Sequence, residues 1–447
     1  MSIYSGPLVH LLKRFSSVLL ITTAFATSVT AQQMTIESAE ASATLLTIDD
    51  AVTLALNENA GLAARDAQAL ALEAVPSQAA ALADPMIGIS AMNFPTDTFN
   101  FDQEPMTQLQ FSVSQALPFP GKRQLMREAA EHEAEAARSR IDERELTLAA
   151  DVRSAWWRLF YLDRSIDIID ENRSLMRDFV EVAQTKYRVG SGLQSDVLLA
   201  QLELSRLMDR RLRAESMRSA MQSALNQMLN RPGGMPITLP ATPPNESLPL
   251  LPPDAELLQR AVSERPELAA EQALVDAARA RLDLANKNLR PDFRVGLAYG
   301  VRDGRNPTTG ESRPDFLSLN FGFSVPLYSE SKQRSAVEQR THEVSQRRYE
   351  LNDTLRSIEA AVSRYRFDYL SATDQVELGR GAIIPQAQQT VASMLAAYQT
   401  NQVDFLNVVN TQINLFSAQI NYWEALSTAK SALAKLAAAV GQENLYE

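Results

Sequence analysis

The side chains with chemistry to offer are few and far apart. The 447 residues contain no cysteine and only three histidines, so a disulfide framework, a thiol nucleophile and a Cys/His metal site are all ruled out. No Ser/His/Asp arrangement and no glycine-rich phosphate loop occurs either, which leaves catalysis without residues to support it and makes a cofactor unnecessary. His132 and His342 each follow a lysine, Lys122 and Lys332, by ten residues, and each precedes a glutamate. Imidazole next to carboxylate can hold a metal or titrate near neutrality, but solvated helix-face histidines copied by duplication fit the pattern better. The 13 methionines are scattered rather than clustered, which does not indicate soft-metal coordination. Asp404 follows a turn and opens an apolar-periodic stretch, a position that an ordinary helix cap would also occupy.

The elements that position these residues are set out most clearly at Gln108 to Arg123, QLQFSVSQALPFPGKR. Gln108, Gln110, Ser112 and Ser114 alternate with Leu109, Phe111 and Val113, which predicts a strand with one polar and one apolar side. Pro118, Pro120 and Gly121 end it, and from Lys122 to Val189 there is neither Gly nor Pro. From Leu148 this run carries Val152, Ala155, Leu159, Leu162, Ile166, Ile169, Met176, Val180, Ala183 and Tyr187 at spacings that approximate a coiled-coil seam, interrupted at Arg173. As a helix it would extend roughly 100 Å.

The N-terminal order is that of a secretory signal: Lys13 and Arg14, the apolar Val18 to Ala26, then Val29-Thr30-Ala31 before Gln32. A signal peptide is therefore expected at 1–31. Its removal takes the net charge from −11 to −13, which argues against nucleic acid as a partner. No other apolar run approaches the ~20 residues of a spanning helix. If the exported chain enters a membrane, it must do so as closed β structure.

The chain also repeats itself. Thr47-Ile48-Asp49-Asp50 opens a helix running towards Leu82, with a possible kink at Pro76 and an end at Asp84-Pro85; Ile87, Ile89 and Ala91 then form a first strand. Asn93 to Pro105 is a polar loop. After the return helix from Ser195-Asp196 to Arg231-Pro232-Gly233-Gly234, the order recurs at offsets of 205 to 211 residues: Asp254 after Asp49, Pro291 after Pro85, Lys332 after Lys122, Tyr398 after Tyr187. Strands at Phe293 to Val301 and Leu317 to Val325 flank a loop from Arg302 to Pro314. The expected layout is a first repeat at 32–236 (helix, β-hairpin, long helix, return helix), a Pro-rich linker at 237–253 and a second repeat at 254–447. The turns differ: Tyr187 to Asp196 is nine residues, Tyr398 to Asp404 six.

Two strands of about nine to eleven residues per repeat suit a tilted bilayer crossing with lipid outside and water inside. Four strands cannot close, so several copies must share one barrel. Strand physics does not choose three copies over four.

The duplicated order, the LPFPGKR junction at Leu117 to Arg123 and YRVGSGLQSDVL at Tyr187 to Leu198 resemble the TolC-like outer-membrane efflux channels over essentially the whole mature length. The resemblance implies a mainly α fold with a membrane β-barrel: a homotrimer whose twelve-strand barrel is continued by a long α-helical coiled-coil barrel. It implies an outer-membrane location in a Gram-negative bacterium with the helical barrel in the periplasm. It further implies a passive export channel of a tripartite efflux system of RND type, in contact with outer-membrane lipid, a periplasmic membrane-fusion adaptor and an inner-membrane efflux pump. A type I secretion exit duct and a non-pore periplasmic coiled-coil scaffold are the alternatives. LPFPGK and the stretch from Asn93 to Met106 resemble the branch associated with heavy-metal export. Carried over from the family, Asp404 narrows the periplasmic gate and Asn407 stands where some relatives place a second acid. Tyr398 ties the second helix pair to the first near Ser195 and Asp196, and Arg188, Gly190, Gly192 and Leu193 form the adaptor-docking tip.

Overall fold

A run of 67 residues without Gly or Pro folds as one uninterrupted helix, α4 (Lys122–Arg188), about 100 Å long at 1.5 Å per residue. The computed structural model describes residues 45–243, 245–306, 308–400, 402–443 and 445; the expected signal peptide lies outside them. Gly121 starts α4 at φ +90°, a conformation that strains any residue bearing a Cβ. The chain returns as α5 (Gln194–Met228).

Ahead of α4 the expected single helix is three: α1 (Ile48–Glu58), α2 (Ala60–Glu73) and α3 (Val75–Ala79). Asn59 makes the first break, because its side chain accepts from Leu62 N at 3.0 Å to cap α2 and donates to Met228 O at 2.9 Å. The second repeat breaks at the equivalent place, Arg265, between α6 (Asp254–Glu264) and α7 (Pro266–Lys287). Arg265 grips Glu143 of α4 through two bonds of 2.8 Å and donates to Ala438 O at 3.0 Å. Pro76 does not kink a helix; it sits in the first turn of α3, where its missing N–H is harmless.

The long helix expected from Lys332 is interrupted twice. A five-residue π-helical turn at Glu330–Arg334 precedes α8 (Ser335–Leu378), and a second at Gly379–Ile383 separates it from α9 (Ile384–Gln399). After the turn, α10 (Phe405–Val440) returns.

The expected seam of α4 is largely the one that is buried. Leu148, Val152, Leu159 and Leu162 of it are enclosed, together with Trp156 and Phe160, which the seam did not include. Trp156 is 0 % exposed, stacks on Phe160 at 5.5 Å between centroids and satisfies its indole N–H on Leu46 O at 2.9 Å. Further along, Ile169, Met176, Phe179 and Ala183 share one core with Ala200, Leu207 and Ala214 of α5 and Phe405, Val409 and Phe416 of α10. Tyr187, counted in the seam, is 48 % exposed at the helix end. Among the described residues, no helix is long and apolar enough to cross a membrane.

The four strands make one antiparallel sheet in the order β1 (Met86–Met92), β2 (Gln108–Leu117), β3 (Phe293–Val301), β4 (Phe316–Phe323). At 7, 10, 9 and 8 residues, two are shorter than the nine to eleven expected, because β1 begins only after Pro85 and β4 pairs only as far as β3 extends. Residues opposite one another share a face. Ile87, Val113, Leu297 and Leu319 form one row across the sheet, and Ile89, Phe111, Tyr299 and Leu317 the next. Rows on the other face read Gly88, Ser112, Ala298, Ser318 and Met86, Ser114, Gly296, Asn320. Ile87, Ile89, Leu317 and Leu319 are 67 to 84 % exposed: none of the described residues covers the apolar face.

Candidate functional site

The far ends of the two helical hairpins gather most of the residues singled out in the sequence. Gly190, at φ +75°, terminates α4 in the left-handed form. Gly192 is needed for room, since a Cβ there would lie 2.9 Å from Lys186 Cβ. Ser191 and Gly192 both donate to Lys186 O, at 2.9 and 3.1 Å, which folds the tip back onto the helix. Val189 and Leu193 project from it, 72 and 67 % exposed, and among the described residues Arg188 reaches only Thr185 Oγ1 at 3.1 Å. The tip is thus a small apolar knob edged by one cation.

Asp404 occupies the backbone cap position of α10, yet its side chain makes no capping bond. The carboxylate is exposed and has no hydrogen bond or ion pair among the described residues. Its backbone carbonyl accepts from Asn407 N at 3.1 Å. Asn407, Asn410 and Asn414 follow it as exposed residues, leaving Asp404 the one formal charge on the first four turns of α10. A helix cap does not account for that side chain.

Tyr398 is buried at 7 %, but its hydroxyl reaches neither Ser195 nor Asp196 and has no partner among the described residues. Burial, and then the Asp196 carboxylate, push the phenol up from its usual range. Asp196 instead accepts a long bond from Leu193 N, 3.5 Å, while Ser195 is exposed. The bond between the hairpin ends is made by a residue that sequence reasoning missed. Lys186 Nζ donates to Tyr398 O at 3.0 Å and stands 3.9 Å over the Tyr398 ring, a cation–π contact of about 0.5–2 kcal/mol depending on exposure.

That contact is the last rung of a ladder. Lys186, Phe179 and Asn172 lie seven residues apart on α4; Tyr398, Phe405 and Gln412 lie seven apart on α9 and α10. Phe179 meets Phe405 edge to face at 6.1 Å, and Gln412 donates to Asn172 at 2.8 Å. Asn172 in turn donates to Ile168 O at 2.8 Å, and Gln412 Oε1 is buried without a partner among the described residues. Glu203 is also buried here, held by Arg206. Seven-residue spacing was visible in the sequence, but which heptad position faces the other hairpin was not.

At the opposite end, Lys122 is 3 % exposed and binds Asp292 Oδ1 at 2.8 Å and Arg290 O at 3.3 Å. The LPFPGKR junction of the first repeat is thereby locked to Arg290-Pro291-Asp292 of the second. Lys430 is buried beside the linker, donates to Ser247 O at 2.6 Å, and is pushed down to about 8 by burial, partly opposed by Glu246. His132 contacts Glu135 at 3.2 Å and His342 is exposed. No cluster of three or more potential metal ligands occurs among the described residues.

The outer membrane efflux protein family profile matches residues 51–231 and 257–442, one match to each repeat. The alkaline protease secretion protein AprF of Pseudomonas aeruginosa is 21 % identical over 271 residues, 60 % of this chain. The chain spans about half, 54 %, of that relative's length. Among solved structures, the VceC outer membrane protein of Vibrio cholerae superimposes with a TM-score of 0.74 at 16 % identity, covering 88 % of this chain and 96 % of its own. The open-state MtrE outer membrane channel of Neisseria gonorrhoeae gives 0.72 at 15 %, covering 89 % of each. With a duplicated helical body, a sheet whose apolar face is bare and a profile match across both repeats, the chain belongs to the outer membrane efflux protein family.

Proposed function

We propose that three copies of the chain close their sheets into one twelve-strand barrel in the outer membrane and continue it as a helical duct in the periplasm, forming the passive exit of a tripartite export system. The observation that carries this reading is the bare apolar face of a four-stranded sheet with two open edges. In lipid such edges must be paired, and only further strands of the same kind can pair them. The knob formed by Val189, Gly190, Gly192 and Leu193, with Arg188 at its edge, is the surface offered to a periplasmic membrane-fusion adaptor, and an inner-membrane pump of RND type supplies the energy. Asp404, repeated by symmetry around the duct, forms a carboxylate ring that favours cations and slows anions at the narrowest level.

Asp404→Ala tests the gate in planar bilayers: conductance should rise, or block by multivalent cations weaken. If both are unchanged, Asp404 is removed from the constriction. The mass of the detergent-solubilised assembly tests the barrel, with three chains expected; a freely water-soluble monomer would overturn it. The likeness to AprF favours a second reading, a protein-secretion exit duct. The inner-membrane component that co-purifies with the chain separates the two.

A further inference from the structure

Where α4 begins and α7 ends, next to the sheet, lies an open groove of about 640 Å³ lined by Phe119, Gly121, Glu128, Asp283, Lys287 and Arg290. α4 runs from the sheet to the distant tip, and α7, which starts at Pro266, ends beside the sheet, so sequence position orders these residues by depth. Phe119 and Arg290 adjoin the strands; Lys287 is about one turn away; Asp283 and Glu128 are roughly 5–10 Å deeper at 1.5 Å per residue. Phe119 lies two residues past Leu117, the end of the row Leu109, Phe111, Val113 that Gln115 interrupts. The apolar face ends beside it in Phe293 stacked on Phe321, 6.0 Å between centroids.

The charged groups in the groove are not ion-paired among the described residues. Lys287 Nζ stands 5.9 Å from the Phe119 ring centroid and 3.5 Å from where a Cβ on Gly121 would lie, an ordinary contact distance, so it flanks the start of α4. Neither Lys287, Arg290 nor Asp283 has an ion pair among the described residues, whereas the neighbouring Lys122 is engaged by Asp292. Glu128 accepts only from Gln124, at 2.8 Å. From the sheet outward the order is apolar side chains, aromatic ring, two cations, two carboxylates. A zwitterionic phospholipid presents acyl chain, glycerol, phosphate and ammonium in that same order.

We infer that this groove binds a phospholipid whose headgroup carries a phosphate and a primary ammonium, taken from the leaflet on the helical side of the membrane. Lys287 and Arg290 hold the phosphate as charged donors; Asp283 and Glu128 hold the ammonium. Snorkelling cations below an aromatic band are the usual arrangement at a bilayer interface. The carboxylates beyond them distinguish this groove from a general anionic-lipid patch. The junction of the first repeat lacks it, since Ala81 and Asp84 stand where Lys287 and Arg290 stand in the second, so each chain carries one site.

The inference rests on the membrane reading above, and its test separates the two. The full chain in detergent is titrated with phosphatidylethanolamine, phosphatidylglycerol and soluble phosphoethanolamine, and retained lipid is read by native mass spectrometry. Phosphatidylethanolamine should be retained in preference to the others, and the double change Lys287→Ala with Arg290→Ala should lower its retention about tenfold, in line with the loss of two charge-assisted contacts. Asp283→Asn with Glu128→Gln should move the preference towards phosphatidylglycerol. Equal retention of both lipids by the unaltered chain, undiminished retention by the cation-depleted variant, or equally tight binding of soluble phosphoethanolamine would overturn the site. Bilayer conductance is measured on the same preparations. A chain that inserts and conducts while ignoring headgroup chemistry refutes only the groove, whereas one that never inserts refutes the membrane reading as well.

Discussion

The two helical hairpins come from one duplicated pattern and have diverged in continuity. The first descends as α4, 67 residues without interruption, and its middle holds Ile169 and Asn172 in the core. The second descends as α8 and α9, and at the corresponding level it is broken by the π-helical turn at Gly379–Ile383, with Gly379, Gly381 and then Pro385 in the first turn of α9. Each of these is a recognised local cause of a bend in a helix. The first hairpin is a strut and the second has a compliant joint, so any relative movement of the tips is expected to be taken up in the second. What holds the second to the first is the ladder ending at Lys186 and Tyr398.

The largest effect should come from weakening the strut. Trp156→Ala removes a fully enclosed indole and its bond to Leu46, and should cost about 3–5 kcal/mol, seen as a lower thermal midpoint of the solubilised assembly. A midpoint within a degree or two of wild type would mean that α4 is not the frame. Next, Gln412→Leu strands the carboxamide oxygen of Asn172 in the core and should cost about 1–3 kcal/mol. Adding Asn172→Leu should recover much of that loss, and full additivity in the double-mutant cycle would show that the two amides do not act as a rung. Smaller still in stability, Lys186→Met should leave the midpoint almost unchanged yet raise basal current in bilayers, while Tyr398→Phe, whose hydroxyl bonds to nothing described, should leave it as it was. The reverse outcome would return the tie to the phenol. Last, Gly381→Ala, which meets no atom within 4 Å, should stabilise by at most about 1 kcal/mol and make openings rarer. Unaltered gating in single-channel records would remove the joint from the second hairpin.

The long-range order of the fold was legible because its signals are periodic and redundant. Alternation in Gln108 to Leu117 survives as two separate faces, the run without Gly or Pro survives as α4, and the duplication extends even to paired breaks at Asn59 and Arg265. Those breaks themselves were not foreseen. An asparagine inside an apolar-periodic run reads as a tolerated polar residue until Met228, 169 residues away, shows what its amide is for. The π-helical turn was written in Gly379, Gly381 and Pro385 but outweighed by the offset match to the uninterrupted run from Lys122 to Val189. At the tips, family resemblance directed attention to the Tyr398 hydroxyl, whereas the contact formed uses its ring and carbonyl. Lys186 looked like one more cation at a helix end, and only its position one heptad beyond Phe179 gives it a partner. Buried Lys430 and Glu203 escaped notice for a similar reason: a charged residue on a helix is taken as solvated until a neighbouring chain segment encloses it.

The polar side of the sheet sets Gly88, Gly296, Gly300 and Gly322 beside longer side chains, among them Gln108, Gln110, Arg294 and Asn320, and a Cβ on Gly300 would come within 2.1 Å of Gln108. Gly300 leaves the room that the Gln108 carboxamide occupies, so this wall presents hydrogen-bonding groups set in low ground rather than a smooth surface. On the proposed Asp404 constriction, tracers of graded girth should be sieved at the helical end, and trimming Gln108 or Arg294 from the upper wall should leave that size cut-off where it is.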